Sequence, residues 1–246
     1  MHTLLLIIVS LLLTPTSTEI TFVTEDGVTI FGDVYKTDEW RTSPVVLLFH
    51  QGGSNARAEY ATIIPVLRQQ GYSVIAIDQR RGGSRLGGTN RTVDKLEAAG
   101  FTYCDAYPDL QSTLAYAVES GFDGQIIVWG SSYSATLAIQ LASRYSEIID
   151  AVLAFSPAAG EPLEGCNPEL FLDELTVPLL ALRPASEMEI ESVNNQLKMI
   201  RELGHATFVA ENGVHGSSML NPQRTKSPTD DTWKVVLEFI SRAIED

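Results

Sequence analysis

The stretch Gln125-Ile-Ile-Val-Trp129 is an apolar run that breaks into the turn Gly130-Ser-Ser-Tyr-Ser134, and a helical pattern follows from Ala135 to Tyr145. A strand, a tight turn and a helix in this order present one serine hydroxyl at the end of a buried strand. Glycine two places before the serine allows the turn to close and holds the serine backbone in a strained conformation. We therefore predict that Ser132 is a nucleophile; the alternative is an ordinary turn between a strand and a helix.

The last position of this turn departs from the pattern Gly-x-Ser-x-Gly, because Ser134 stands where the second glycine is expected. Glycine at that position permits close packing of the turn against the helix. Serine is among the few residues small enough to replace it, and so we expect the turn to form.

A serine nucleophile needs a neighbouring base, normally histidine. Of the four histidines, His2 lies in an apolar leader, His50 ends a strand and His205 precedes a late strand. Only His215 follows that late strand, in the loop 212–216, and open parallel sheets bind their ligands at the carboxyl ends of strands. We predict His215 as the base; the alternative is an exposed loop histidine.

The third member of such a triad is a carboxylate that orients the histidine, and in this chain order it lies between serine and histidine. The strand 177–182 runs into a loop that carries Glu187, which is our first choice for the acid. Glu189 and Glu191 remain alternatives, and carboxylates at the start of a helix are also explained by the helix dipole.

Acyl transfer also requires backbone N–H groups that stabilise negative charge on the former carbonyl oxygen. The strand that ends near His50 leads into a loop with two glycines. We predict that Gly52 donates one N–H group and that Tyr133, directly after the proposed nucleophile, donates the other. A simple turn before the next helix would account equally well for the glycines.

These segments together resemble the α/β-hydrolase superfamily, and within it the small enzymes related to dienelactone hydrolases and bacterial esterases. The matching stretches are Leu48-Phe-His-Gln-Gly-Gly-Ser-Asn55, the strand 72–78 followed by Arg81-Gly-Gly-Ser84, the Ser132 turn, residues 177–187, and His215-Gly216. The resemblance implies ester hydrolysis or a related acyl transfer, with Ser132 as nucleophile, Glu187 as acid and His215 as base. Dienelactone hydrolases proper use a cysteine nucleophile, and so their particular substrate does not carry over.

Short apolar or β-branched runs alternate with helical patterns along the chain, which predicts a mostly parallel sheet between layers of helices. An Asp26-Gly27 turn between two alternating runs predicts an antiparallel hairpin at the amino-terminal end, 20–24 with 28–35. The connection 156–174 is too short for a large lid. The fold class expected is therefore α/β, an α/β-hydrolase fold without a lid domain. Helices are predicted near residues 57–70, 108–120, 135–145, 190–203 and 228–244.

Residues 1–18 contain no charged side chain and have an apolar centre, which is typical of a signal peptide. We expect one domain over 19–246 and a protein exported to the periplasm or the exterior. The formal net charge is -14, with 17 basic and 31 acidic side chains. Such a surface repels nucleic acid and anionic lipid, and we expect neither a nucleic-acid partner nor a stable membrane anchor.

Cys104 and Cys166 are the two cysteines of the chain, and both fall in irregular segments. An even number of cysteines in an exported protein favours a disulfide between them over two free buried thiols.

The segment 79–107 leaves the carboxyl end of a strand and is unusually basic for this chain. Arg80 and Arg81 are candidates for the rim of the site, where they would attract a substrate that carries a carboxylate or phosphate. The alternative is a solvated loop balanced by nearby acidic residues.

The function expected is hydrolysis of a small ester or acyl substrate through an acyl-enzyme intermediate, without a metal or organic cofactor. Two alternatives remain. One is a peptidase or amidase on the same fold, and the other is a catalytically silent protein of this fold that binds a ligand or partner.

Overall fold

The computed structural model describes residues 17–158 and 160–245, which contain one eight-stranded sheet in the order β1-β2-β4-β3-β5-β6-β7-β8. The strands are β1 Thr18–Val23, β2 Thr29–Tyr35, β3 Val45–Phe49, β4 Ser73–Asp78, β5 Ile126–Ser131, β6 Ala151–Phe155, β7 Leu179–Pro184 and β8 Ala206–Ala210. β1 and β2 pair antiparallel, β2 joins β4 antiparallel, and all other pairs are parallel. This arrangement confirms the predicted fold class.

The central strands are buried along their whole length because helices cover both faces of the sheet. Alternate side chains of β3 divide between two cores: Val45, Leu47 and Phe49 pack on one face, and Val46 and Leu48 pack on the other. A strand covered on both faces reads as an unbroken apolar run, which is the pattern by which the sequence predicts these strands.

The predicted hairpin is formed by β1 and β2, and the turn between them contains Asp26 and Gly27. Gly27 has a φ of 86°, a backbone conformation that a glycine adopts without steric cost. The pairing of Thr18 with Val34 fixes the register.

The helices are α1 Ala56–Tyr60, α2 Ile63–Gln69, α3 Tyr107–Glu119, α4 Tyr133–Arg144, α5 Glu191–Glu202, α6 Pro222–Thr225 and α7 Asp230–Glu245. The structure corrects the single helix predicted near 57–70, because the chain breaks between α1 and α2. Pro65 explains the break: its ring would clash with the carbonyl of Ala61, four residues earlier, in a continuous helix. Short 3₁₀ turns lie at Val93–Lys95, Cys104–Ala106, Glu161–Leu163, Pro168–Leu170, Leu172–Glu174, Ala185–Glu189 and Gly216–Leu220.

A disulfide joins Cys104, directly before α3, to Cys166 in the connection between β6 and β7. It ties together two segments that are 62 residues apart in the chain. The predicted signal peptide falls outside the described residues except for its last two, and Thr18 is the first residue of β1. Within residues 17–158 and 160–245, no helix is both long and apolar enough to cross a membrane.

Candidate active site

Ser132 follows β5 directly and precedes α4, in a backbone conformation that non-glycine residues rarely adopt. Its φ is 63° and its ψ is -122°. The turn is tight because Gly130 lies against α4: a Cβ on this glycine would stand 2.3 Å from the carbonyl oxygen of Ser134. Strain of this kind costs about 1–3 kcal/mol and persists only where the surroundings enforce it.

The same turn exposes Ser132 to solvent. Every other residue from 126 to 142 is buried, whereas Ser132 is partly exposed. The Ser132 hydroxyl does not cap α4, which means that it accepts no hydrogen bond from the first N–H groups of this helix. The turn therefore presents one serine hydroxyl above an otherwise buried strand and helix.

Ser134 explains how the turn closes without its second glycine. Its hydroxyl donates to the carbonyl oxygen of Phe49 at 2.6 Å and accepts the Ser131 N–H group at 3.0 Å. The serine thereby ties the turn to the end of the neighbouring strand β3. A glycine would pack closely there but could make neither hydrogen bond.

His215 and Glu187 form a contacting pair at the same edge of the sheet. His215 follows β8, and its Nδ1 lies 2.6 Å from Oε1 of Glu187, which stands in the 3₁₀ turn after β7. The imidazole is 45% exposed and the carboxylate 14%. The two alternative acids, Glu189 and Glu191, are exposed, and the carboxylate in contact with His215 is that of Glu187.

Two further side chains hold this carboxylate. Arg183 donates from Nη1 to Oε2 of Glu187 at 2.8 Å, and the hydroxyl of Ser156 donates to Oε1 at 3.1 Å. Burial raises the pKa of Glu187, but the hydrogen bonds from His215 and Arg183 outweigh it, and the pKa lies below its usual value. Glu187 is therefore ionised at neutral pH.

Hydrogen bonds between loops hold the segment that follows His215 against the turn that carries Ser132, and no hydrogen bond joins the Ser132 hydroxyl to the His215 imidazole within the described residues. The N–H group of Gly216 donates to the Ser156 hydroxyl at 3.0 Å, and the N–H group of Ser217 donates to the Ser131 hydroxyl at 2.9 Å. The residues directly after His215 thus lie against the residue directly before Ser132. Gly216 also has a φ of 66° and no room for a side chain, since a Cβ would stand 2.4 Å from the Ser131 hydroxyl.

The loop after β3 offers one unused backbone donor. The N–H group of Gln51 donates to the buried carboxylate of Glu59 at 2.9 Å, and that of Gly53 donates to the carbonyl of Arg81 at 3.1 Å. The intervening N–H group of Gly52 has no acceptor among the described residues. Tyr133 is the first residue of α4, where N–H groups lack partners within the helix. Neither N–H group has a hydrogen-bond acceptor among the described residues.

The other histidines of the described chain are placed differently. His50 is fully buried, with Nδ1 2.9 Å from the Gln51 carbonyl and Nε2 accepting the Gln79 N–H group. His205 precedes β8 and so lies toward the amino end of that strand. Neither is exposed near Ser132 at the carboxyl edge of the sheet.

Arg80 does not line the rim, contrary to our expectation. Its side chain is fully buried and forms ion pairs with Asp109 at 2.7 Å and with Asp26. Two carboxylates of the protein itself therefore bind the Arg80 guanidinium.

Sequence reasoning missed Ser156, Arg183 and Glu59. The available signal for Arg183 was a charged residue in an otherwise apolar strand, and for Ser156 a small polar residue directly after one. Glu59 looks like an ordinary helix residue, and nothing local marks it as buried. Over residues 17–158 and 160–245, the structure has no group of three or more His, Cys, Asp or Glu side chains suited to a metal ion.

Comparisons with known proteins agree with this architecture. A family model of the alpha/beta hydrolase fold matches residues 44–206. No curated protein matches the chain. An esterase from Pyrococcus furiosus is similar in structure, with a TM-score of 0.70 and 19% identity over 92% of this chain and 90% of the esterase.

Two further solved structures are similar at lower identity. A dienelactone hydrolase from Anabaena variabilis has a TM-score of 0.67 and 14% identity, over 93% of this chain and 98% of its own. An acylaminoacyl peptidase from Pyrococcus horikoshii has a TM-score of 0.65 and 15% identity, over 93% of this chain and 41% of its own. At these identities the likeness shows the fold alone. The family model, however, matches more than half of the sequence, and the chain belongs to the alpha/beta hydrolase fold family.

Proposed function

We propose that the protein is a serine hydrolase that cleaves carboxylic esters, with Ser132 as nucleophile, His215 as base and Glu187 as acid. The observation that carries the proposal is the strained, solvent-facing Ser132 beside a loop whose histidine contacts a carboxylate at 2.6 Å. Backbone strain costs free energy to maintain, and here it occurs together with a histidine–carboxylate pair at the carboxyl edge of a parallel sheet.

The proposed mechanism has two half-reactions. The Ser132 oxygen attacks the ester carbonyl carbon while Nε2 of His215 takes the hydroxyl proton, and the Nδ1–H group is held by Glu187. The N–H groups of Gly52 and Tyr133 bind the resulting oxyanion. His215 then protonates the departing alcohol, which leaves an acyl-enzyme. Water activated by the same histidine releases the acid and regenerates the serine.

The proteins that share the fold are named as hydrolases of esters and of peptides, and we propose the ester because its alcohol is the better leaving group. An esterase and a dienelactone hydrolase are among the similar structures, and so is an acylaminoacyl peptidase. A peptidase would use the same three side chains but would have to expel a poorer leaving group. The disulfide between Cys104 and Cys166 supports an oxidising compartment, and we propose that the protein is exported.

A covalent probe tests the proposal directly. Wild-type protein treated with a fluorophosphonate should gain one adduct in intact mass, located on Ser132, and should hydrolyse 4-nitrophenyl acetate. Ser132→Ala should lose both properties. Ser143→Ala is the matched control, because its hydroxyl lies on the same helix and has no hydrogen-bond partner in the described chain.

The possible outcomes distinguish an esterase, a peptidase and a binding protein. Labelling together with hydrolysis of aryl esters but not of aminoacyl anilides supports an esterase, whereas faster cleavage of the anilides would indicate a peptidase. A folded wild-type protein that neither labels nor turns over any ester would refute the mechanism and favour a binding protein.

A further inference from the structure

Glu59 is a fully buried glutamate behind the loop that carries Gly52. Its Oε2 atom accepts the N–H group of Gln51 at 2.9 Å, and its Oε1 atom is buried without a hydrogen-bond partner among the described residues. A buried polar oxygen without a partner costs free energy, and natural proteins accept such costs mainly at functional sites. Glu59 binds the residue directly before a proposed oxyanion donor, which indicates the function that this cost supports.

Three contacts fix the backbone on both sides of the Gly52 N–H group. The buried carboxylate accepts the Gln51 N–H group at 2.9 Å, and the Gln51 carbonyl accepts the Ser54 N–H group at 3.2 Å. On the other side, the Gly53 N–H group donates to the Arg81 carbonyl at 3.1 Å. The peptide that joins Gln51 to Gly52 is trans, and so its N–H group points away from its carbonyl oxygen. The direction of the Gly52 N–H group is thus set by contacts of its neighbours, and one of these contacts comes from a side chain on α1.

Helix α1, which carries this carboxylate, is itself held in place. The Tyr60 hydroxyl donates to the carbonyl of Phe49, the last residue of β3, at 2.7 Å. At the start of the helix, the Asn55 side chain accepts the Ala58 N–H group at 2.9 Å. Arg224 donates to the Ala58 carbonyl at 2.7 Å. The carboxylate is therefore presented to the loop from a fixed support.

We propose that Glu59 is a positioning residue: by holding the Gln51 N–H group, it aims the Gly52 N–H group at the oxygen that becomes negative in the transition state. This inference rests on the proposed ester hydrolysis. Glu59 is fully buried and acts through the loop, without contact to the ester. Oxyanion donors work because they are oriented before the reaction, and a displacement of about 1 Å can cost about 100-fold in rate.

Three substitutions separate the hydrogen bond from the charge. Glu59→Gln removes the charge but keeps an acceptor oxygen at the same reach, and its kcat for 4-nitrophenyl hexanoate should stay close to that of wild type. Glu59→Asp keeps the charge but is one methylene too short to reach the Gln51 N–H group. Glu59→Met fills a similar volume and is a weak acceptor. In both of these variants kcat should fall by about 10- to 100-fold.

A transition-state analogue gives the readout that a merely structural role would not move. The ketone 1,1,1-trifluoroheptan-2-one has the same acyl chain as the ester, and its hemiketal with Ser132 places an oxygen where the oxyanion forms. In Glu59→Asp and Glu59→Met, the inhibition constant of the ketone should rise by about 10- to 100-fold. The Kd of the intact ester, measured with the same changes in a Ser132→Ala background, should not change.

Thr113→Val is the matched control. The Thr113 hydroxyl is fully buried and donates to the Asp109 carbonyl at 2.7 Å, and so this variant also loses one buried hydrogen bond, but on α3. Its urea midpoint should fall, and its inhibition constant for the ketone should equal that of wild type. An equal rise in this control would overturn the positioning role, because loss of stability alone would then explain the effect.

Two further results would also overturn it. One is a folded Glu59→Asp or Glu59→Met protein with the kcat and ketone affinity of wild type. The other is a loss in Glu59→Gln as large as in Glu59→Asp, which keeps the test open if Glu59→Met does not fold. A wild-type protein that neither turns over the ester nor forms the ketone adduct would reject the hydrolysis itself and the positioning role with it. Normal wild-type chemistry that survives loss of the hydrogen bond rejects the positioning role alone.

Discussion

Replacing Arg183 by methionine should expose how the proposed catalytic acid is held. The Arg183 side chain is 4% exposed and donates to Glu187 at 2.8 Å, and it also contacts the Pro157 carbonyl and the Gln196 side chain. Methionine fills much of the same volume but donates no hydrogen bond. Arg183→Met therefore leaves a largely buried carboxylate without its cation.

The size of the effect follows from this burial. Removing one partner of a buried ion pair costs about 3–5 kcal/mol, because the remaining charge is left uncompensated. Glu187 keeps its hydrogen bonds to His215 and Ser156, and so we expect the lower end of the range, about 3 kcal/mol. With a urea dependence of about 2 kcal/mol per molar, the unfolding midpoint should fall by about 1.5 M.

Activity gives a second, independent measurement. Burial raises the pKa of Glu187, and the hydrogen bonds from His215 and Arg183 lower it below its usual value. Without the Arg183 cation the pKa of Glu187 should rise, and protonation of this carboxylate removes the group that holds the Nδ1–H of His215. In the variant, the acid limb of the pH profile of kcat/KM for 4-nitrophenyl acetate should therefore move to higher pH, and kcat should fall because the carboxylate is less well positioned.

Urea denaturation can be followed by the fluorescence of the three tryptophans. Arg201→Met is the control, because Arg201 is exposed and, within the part of the chain that the structure describes, its side chain bonds only to that of Thr207. The midpoint of this variant should stay near that of wild type. The double variant Arg183→Met/Glu187→Leu should recover part of the lost stability, since it removes the orphaned charge. An Arg183→Met protein with the midpoint and the acid limb of wild type would contradict the assigned role.

Two other predictions concern the turn and the hairpin. Ser134→Ala should lower the free energy of unfolding by about 1–3 kcal/mol, because the buried Ser131 N–H group loses its acceptor; Ser143→Ala, which removes an unpartnered hydroxyl, should change the urea midpoint little. The hydrogen bond from Arg80 lowers the pKa of Asp26 from 3.8 to about 2, and so its stabilising contribution is present above the usual pKa and lost as pH falls. The difference in melting temperature between wild type and Asp26→Asn should shrink from about pH 4 to about pH 2, and a constant difference would argue against the ion pair.

The parts of the fold that the sequence predicts are those determined by local pattern. An apolar run, a glycine and a small-residue turn lie within ten consecutive residues around Ser132, and steric limits on the turn apply wherever it occurs. Pro65 also acts locally, because it breaks the helix before α2. The helical pattern continues across this break, and so the sequence predicted a single helix there.

The choice of acid depends on geometry that is not local. Glu187, Glu189 and Glu191 are equivalent by spacing, and only the 3₁₀ turn at 185–189 decides which carboxylate faces β8. Ser156 contacts Glu187 across 31 residues and Gly216 across 60 residues of the chain. A single sequence contains no record of such distant pairings, and so these residues could be found only in the structure.

Arg80 and Arg81 are adjacent and chemically identical, but their side chains lie in different surroundings that the sequence does not predict. Both residues lie in the turn after β4, and the sequence does not say which of them faces a buried acid. Asp109, on α3, is that acid and forms an ion pair with Arg80, whereas the Arg81 guanidinium lies over the Tyr103 ring. The acidic excess of the whole chain therefore does not describe its surface beside Gly52.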